Sequence, residues 1–119
     1  MTAAPDRAGT LFVVATPIGN LADLAPRVRT VLENADLVLA EDTRHTGALL
    51  QHLALEKPLR SLHEHNEADR VDDVLERLRN GAQIALLCDA GTPLVSDPGY
   101  RLLSAVRANG LRATPVPGP

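Results

Sequence analysis

The sequence predicts an α/β domain with an open, mostly parallel sheet flanked by helices. Three observations lead there. Short aliphatic runs alternate with amphipathic helical stretches along the chain. Phe12 and Tyr100 are the sole aromatic residues, so the core must be Leu, Val and Ala. That composition suits parallel strands buried on both faces. The most turn-rich stretches, such as "DAGTPLVSDPG", directly follow runs that read as buried strands.

The elements follow in order. "LFVVAT", 11 to 16, is a buried strand bounded by the turn "PIGN". Pro26 suits a first helical turn, and Val28, Val31 and Leu32 share one face behind it. "ADLVLA", 35 to 40, is the second strand. Asp42 or Thr43 then caps a helix carrying Leu49, Leu50 and Leu53, with His52 on its surface. "LRSL", 59 to 62, is a weak strand. Asn66 caps the next helix, and Asp69 three residues on resembles a capping box. Val71, Val74, Leu75 and Leu78 share its face, and Gly81 ends it. "QIALLC", 83 to 88, is the clearest strand. Asp97 caps, Pro98 starts and Gly110 stops a fourth helix, with Leu102, Leu103 and Val106 inward. "RATPVP" reads as the last strand. Residues 1 to 10, "MTAAPDRAGT", read as a flexible tail without the apolar core of a signal peptide.

Bulk properties narrow the function classes. A chain of 119 residues suits one core, here spanning 11 to 119. The net charge of −3 does not advertise a nucleic-acid coat, although a local arginine cluster can sit on an acidic domain. Cys88 is the one cysteine, which excludes an internal disulfide and fits a cytoplasmic protein. It reads as a small core residue. No apolar run reaches the ~18 residues of a membrane span, so no membrane partner is expected.

In open parallel sheets, ligands bind beyond the carboxyl ends of the strands. "TPIGN", "EDTR", "HEHNE" and "DAGTPLVSDPG" all occupy that edge. In "DAGTP", Gly91 lets backbone approach a flat ligand, Thr92 adds a hydroxyl, and Asp89 can accept from ligand hydroxyls or an amine. The same segments also read as turns and helix caps. Glu41 and Asp42 are adjacent carboxylates, Asp42 doubling as a cap, and Arg44 can hold a phosphate through its planar fork. His63 and His65 share a face on an extended segment. No third ligand stands at a metal spacing, so no metal is expected. One member of the 63 to 67 cluster can serve as a base. Neither a dinucleotide fingerprint nor a P-loop is present.

Four motifs carry a resemblance: "ATPIGNLADLAPRV", "LAEDTRHTGALLQHL", "LHEHNE" and "LCDAGTPLVSDPGYRL". In this order and spacing the chain resembles the bacterial ribosomal RNA small subunit methyltransferase I family, a branch of the tetrapyrrole methylase superfamily. The resemblance covers roughly residues 11 to 119. It implies the N-terminal domain of the tetrapyrrole methylase fold, with a second domain absent from this chain, and a cofactor, S-adenosyl-L-methionine, between the two domains. It implies methylation of a cytidine ribose 2′-hydroxyl in small-subunit ribosomal RNA. Pro17, Ile18 and Gly19 stand where the tetrapyrrole enzymes have their glycine-rich first turn, with Pro17 replacing a glycine. Asp89, Ala90, Gly91 and Thr92 stand at the cofactor loop.

"EDTRHT" and "HEHNE" are shared with the RNA-modifying branch. Asn20, Thr43, Arg44, His65 and Asn66 are the corresponding ribose and phosphate contacts. Glu41, Asp42, His63 and Glu67 are the candidate bases, in no fixed order. Apolar surface left by a missing second domain suggests a homo-oligomer, a dimer. Three alternatives stay open: a methylase of a tetrapyrrole or protein side chain, a noncatalytic nucleotide- or partner-binding module, and an assembly unit.

Overall fold

A computed structural model of the chain describes residues 8–16, 25–63, 66–89 and 98–116. The strands are β1 (Thr10–Thr16), β2 (Leu37–Ala40), β3 (Leu59–Ser61), β4 (Gln83–Asp89) and β5 (Arg112–Val116). The helices are α1 (Pro26–Asn34), α2 (Thr43–His52), α3 (Glu67–Arg79) and α4 (Pro98–Ala108). Strand and helix alternate, as the aliphatic runs predict. The five strands form one sheet in the order β3-β2-β4-β1-β5. Every pairing is parallel.

The helices divide between two faces, and each strand serves both. Val14, Val38, Ala40, Ala85 and Leu87 meet Val28, Val31 and Leu32 of α1 and Leu49 and Leu50 of α2. Leu11, Leu37, Leu39, Ile84 and Leu86, on the opposite face of the same strands, meet Val74, Leu75 and Leu78 of α3 and Leu102 and Val106 of α4. Alternate residues point to opposite faces, so continuous aliphatic strands are what a doubly covered sheet requires. Burial of each such Leu or Val contributes roughly 1.5–3 kcal/mol relative to exposure. Leu103 is only partly buried, while Cys88 packs against the α3–α4 side.

Three boundaries differ from the sequence reading. β2 begins at Leu37 because Asp36 is drawn into a clasp with β4. Its backbone N–H donates to the Gln83 carbonyl (2.7 Å). Its Oδ2 accepts from the Gln83 N–H (2.8 Å). β1 begins at Thr10, paired with Gln83 and Arg112, so the ordered chain reaches into the stretch expected to be a tail. Just before it, the Gly9 N–H donates to Leu78 O at 2.7 Å. The third difference is the capping box. Asn66 occupies the N-cap position of α3 but makes no side-chain cap bond. Its amide turns back to the end of β3 instead. Asp97 lies outside the described residues.

Helix ends show two kinds of left-handed residue. Gly81 (φ 95°) and Gly110 (φ 72°) follow α3 and α4, as their sequence positions suggest. Ala54 (φ 58°) does the same job after α2 without the advantage of glycine. The Leu55 N–H then reaches back to Leu50 O (2.9 Å).

Glycine substitutions should therefore change stability with opposite signs. A Cβ at Gly9 would overlap the Ala82 carbonyl, so Gly9→Ala should lower stability by ~1–3 kcal/mol. A Cβ at Gly47, inside α2, meets only Leu59 Cδ2 at an ordinary 3.7 Å. Gly47→Ala should then raise stability by ~0.5–1 kcal/mol. Ala54→Gly should also be stabilising. Urea midpoints of the three variants check these signs.

Candidate active site

Parallel pairing brings the carboxyl ends of the strands to one edge. Thr16 at the end of β1 is in register with Asp89 at the end of β4. Ala40 at the end of β2 is in register with Leu87 of β4 and Ser61 of β3. α1 leaves β1 for one face, and α4 leaves β4 for the other. The neighbouring ends of β1 and β4 therefore form a point where connections part, which is where open parallel sheets bind ligands. Pro17, Ile18, Gly19, Asn20, His65, Ala90, Gly91 and Thr92 lie outside the described residues.

The segment after β2 carries the first group. Glu41 is exposed and has no hydrogen-bond partner among the described residues. Asp42 caps α2: its Oδ1 accepts from the Arg44 N–H at 3.0 Å. Arg44 Nε lies 3.4 Å from the same oxygen. The backbone hydrogen bond from Arg44, then the Arg44 side chain, hold the Asp42 carboxyl below its ordinary pKa. Arg44 itself is almost fully exposed, with 91% of its side chain open to solvent. Thr43 is partly buried as the first residue of the helix.

The segment after β3 is a compact polar knot. Asn66 Oδ1 accepts from the His63 backbone N–H (3.0 Å). Asn66 Nδ2 lies 3.2 Å from Ser61 O, Ser61 Oγ and His63 Nε2. With Asn66 donating, Nε2 offers a lone pair, and the proton of a neutral ring sits on Nδ1. Arg70 Nε adds a bond to Ser61 O at 2.9 Å. The knot ties the end of β3 to the first turn of α3.

Glu67 points inward. It is 6% exposed, and its Oε1 accepts from Arg101 NH1 of α4 at 2.8 Å. Its Oε2 is buried with no hydrogen-bond partner among the described residues. Glu67 thus bridges α3 and α4. Of the four candidate bases, the described contacts commit Asp42 to a cap, His63 to the Asn66 knot and Glu67 to an interhelical pair.

The sequence reading passed over Arg70 and Arg101, which complete these contacts. A signal was available: both fall in the opening turns of predicted helices, where cations oppose the helix dipole.

Two outcomes follow. Asp42→Asn keeps a capping oxygen and removes the charge. A carboxyl with a lowered folded pKa stabilises above its unfolded value, ~3.9, and that contribution is lost as pH falls through the lower folded value. The variant should therefore melt below the parent at neutral pH, with the gap closing in acid. A pH series of thermal melts reads this. Arg101→Ala strands the buried Glu67 carboxylate and should cost about 1–3 kcal/mol, less than a fully buried pair because Arg101 is largely exposed. Neutralising both partners in Glu67→Gln/Arg101→Gln should recover part of that loss in denaturant titrations.

Comparison with known proteins places this edge in a family. Residues 10–119 match the family model described as tetrapyrrole (corrin/porphyrin) methylases. The chain is 55% identical over 111 residues to ribosomal RNA small subunit methyltransferase I of Xylella fastidiosa strain Temecula1, covering 93% of the chain and 41% of that protein. It is 52% identical to the protein of the same name from Escherichia coli O157:H7, covering 93% of the chain and 39% of that protein. The chain thus spans about two fifths of the length of these curated relatives. Among solved structures, it resembles uroporphyrin-III-C-methyltransferase from Thermus thermophilus with a TM-score of 0.71 and 27% identity. That match covers 92% of the chain and 47% of the other protein. From its first strand onward, this chain belongs to the tetrapyrrole (corrin/porphyrin) methylase family.

Proposed function

We propose that the protein is a methyltransferase that uses S-adenosyl-L-methionine to methylate the ribose 2′-hydroxyl of a cytidine in small-subunit ribosomal RNA. One observation carries the reading: 55% identity across 111 residues to a relative named for small-subunit ribosomal RNA methylation. The match spans 93% of the chain, so the segments at the carboxyl edge lie within it as well as the core. Residues 11–119 would be the first of two domains in a cytoplasmic enzyme, self-associating as a dimer.

The point where β1 and β4 end suits a cofactor. The ends of β1 and β4 lie side by side in register, and their helices diverge to opposite faces. A ligand there can contact both strand ends without displacing core. Pro17, Ile18, Gly19, Asp89, Ala90, Gly91 and Thr92 would hold it. When bound, the cofactor supplies an electrophilic methyl group on sulfur. The residues of this chain then have to align the ribose oxygen with that methyl and take up its proton. Alignment lowers such barriers by up to about 7–11 kcal/mol.

Glu41 is the proton acceptor we favour, since it is exposed at the end of β2 and uncommitted among the described residues. Asp42 preserves the start of α2. Thr43 and Arg44 face ribose and phosphate, and Asn20, His65 and Asn66 complete the substrate side. His63 and Glu67 support the site by fixing β3 to α3 and α3 to α4.

A tetrapyrrole substrate is the second reading, favoured by the structural match to a uroporphyrin methyltransferase. The 27% identity of that match, against 55% for the RNA enzyme, ranks it second.

Mapping of 2′-O-methylation on small-subunit ribosomal RNA, with the gene interrupted, decides between them. Loss of one cytidine methyl, restored by the intact gene, is expected. An unchanged map sinks the RNA reading. In the restored background, Glu41→Gln should slow methylation by about 10²–10⁴-fold with cofactor affinity retained. Gly91→Arg should abolish cofactor binding in a titration.

A further inference from the structure

Phe12 and Tyr100, the two aromatic residues of the chain, have gone to different places. Phe12 of β1 packs against the core on the α1–α2 side. Tyr100, the third residue of α4, is 47% exposed. It is the one large hydrophobic side chain exposed among the described residues. The inward stripe of α4 runs through Gly99, Leu102 and Val106, and Tyr100 lies off it. The core therefore does not account for its ring.

A series of contacts places Tyr100 at the carboxyl edge. Arg101, the next residue, bonds Glu67 at the start of α3 (2.8 Å). Asn66, beside Glu67, bonds Ser61 O at the end of β3 (3.2 Å). Ser61 is in register with Ala40 at the end of β2. Tyr100 thus stands at the strand ends, where a parallel sheet takes its ligand.

The Glu67–Arg101 pair is lopsided. The Glu67 side chain is 7% exposed and the Arg101 side chain 75%. The second carboxylate oxygen, Oε2, is buried with no partner among the described residues. Burying a carboxylate is costly, and a largely solvated partner offsets only part of that cost. Well-packed apolar residues would hold the two helices at least as well. What the pair adds is a fixed position: it pins the first turn of α4 to the first turn of α3. The backbone that carries Tyr100 is thereby held while its side chain stays open to solvent. A rigid, exposed aromatic at a ligand edge suits a flat, unpaired nucleobase, because every base has a face that stacks on a ring.

We propose that Tyr100 is a stacking platform for one unpaired base of the substrate RNA, with Glu67 and Arg101 as the residues that position it. The platform rests on the RNA reading given above and adds a contact to a base, where that reading names contacts to ribose and phosphate. A stacked base carries no charge, so losing it leaves the salt dependence of binding unchanged, unlike losing a phosphate contact. Stacking also needs the ring and not the phenolic hydroxyl.

The experiment titrates the full-length protein with single-stranded oligonucleotides of small-subunit sequence at several salt concentrations. Each carries 2-aminopurine on one side or the other of the cytidine identified by methylation mapping. With the parent, one of the two probes should be quenched on binding. Tyr100→Ala should weaken binding by about 5- to 150-fold and abolish that quenching. Tyr100→Phe should behave as the parent, and Tyr100→Leu, with apolar bulk but no ring, as Tyr100→Ala. The salt slope and the cofactor dissociation constant should be those of the parent in all three. Glu67→Gln/Arg101→Gln should weaken RNA binding in the parent and add nothing in a Tyr100→Ala background, because the pair acts through the ring. A further loss in that background overturns the positioning role. Parent-like affinity in Tyr100→Ala overturns the platform and leaves the functional reading intact. So does a loss in Tyr100→Phe as large as in Tyr100→Ala, which makes the hydroxyl the contact. Parent-like binding in Tyr100→Leu, with a lowered melting temperature in Tyr100→Ala, overturns it as well, the side chain then packing against protein. Two unquenched probes on a protein that binds RNA do the same. A parent protein that binds neither oligonucleotide overturns the platform and the RNA reading together.

Discussion

Two parallel strands cannot be joined by a tight turn, so each connection must cross a face of the sheet and return. Most of this molecule follows from that constraint. Each crossing is made by a helix, and the helices cover both faces. The central strands are therefore buried on both sides, as Val38, Leu39, Ala85 and Leu86 show. Helices that all begin at the same end of the sheet place their N-termini along one edge. The polar segments after the strands consequently gather there, although they are far apart in the chain.

Side chains then tie that edge together. Asp42 fixes the first turn of α2 to the end of β2. Asn66 and Arg70 fix α3 to the carbonyl of Ser61 at the end of β3. Glu67 joins α3 to α4 through Arg101. A binding edge made of loops needs such ties, because loops lack the ladder bonds that hold a strand. These polar residues can look catalytic in the sequence for the same reason that they suit anchoring: their side chains carry strong donors and acceptors. Of the four candidate bases, the described contacts leave Glu41 as the one with capacity for a ligand.

The same architecture serves different substrates. The match to a uroporphyrin methyltransferase is a match of backbone arrangement, while the higher identity is to relatives named for ribosomal RNA methylation. A shared fold places the binding edge, and the side chains along it select what binds.

The aliphatic runs and the amphipathic spacing determined the element order on their own, because strand and helix periodicities are local properties. Gly81 and Asp42 were likewise readable as a helix stop and a cap, each acting within a few residues. The four edge motifs, read together, also carried the family resemblance. Contacts between residues distant in the chain were not legible. The start of β2 was set by a clasp between Asp36 and Gln83. Asn66 had the spacing of a capping box, but Ser61 and His63 offered it more bonds than its own helix did. Glu67 read as an available carboxylate until α4 folded over it and brought Arg101 within 2.8 Å. Strand order is of the same kind: β4 entered between β1 and β2, and only that insertion placed the ends of β1 and β4 side by side. Local sequence specified which groups reach the edge, while their partners depended on distant residues that only the packed sheet brought together.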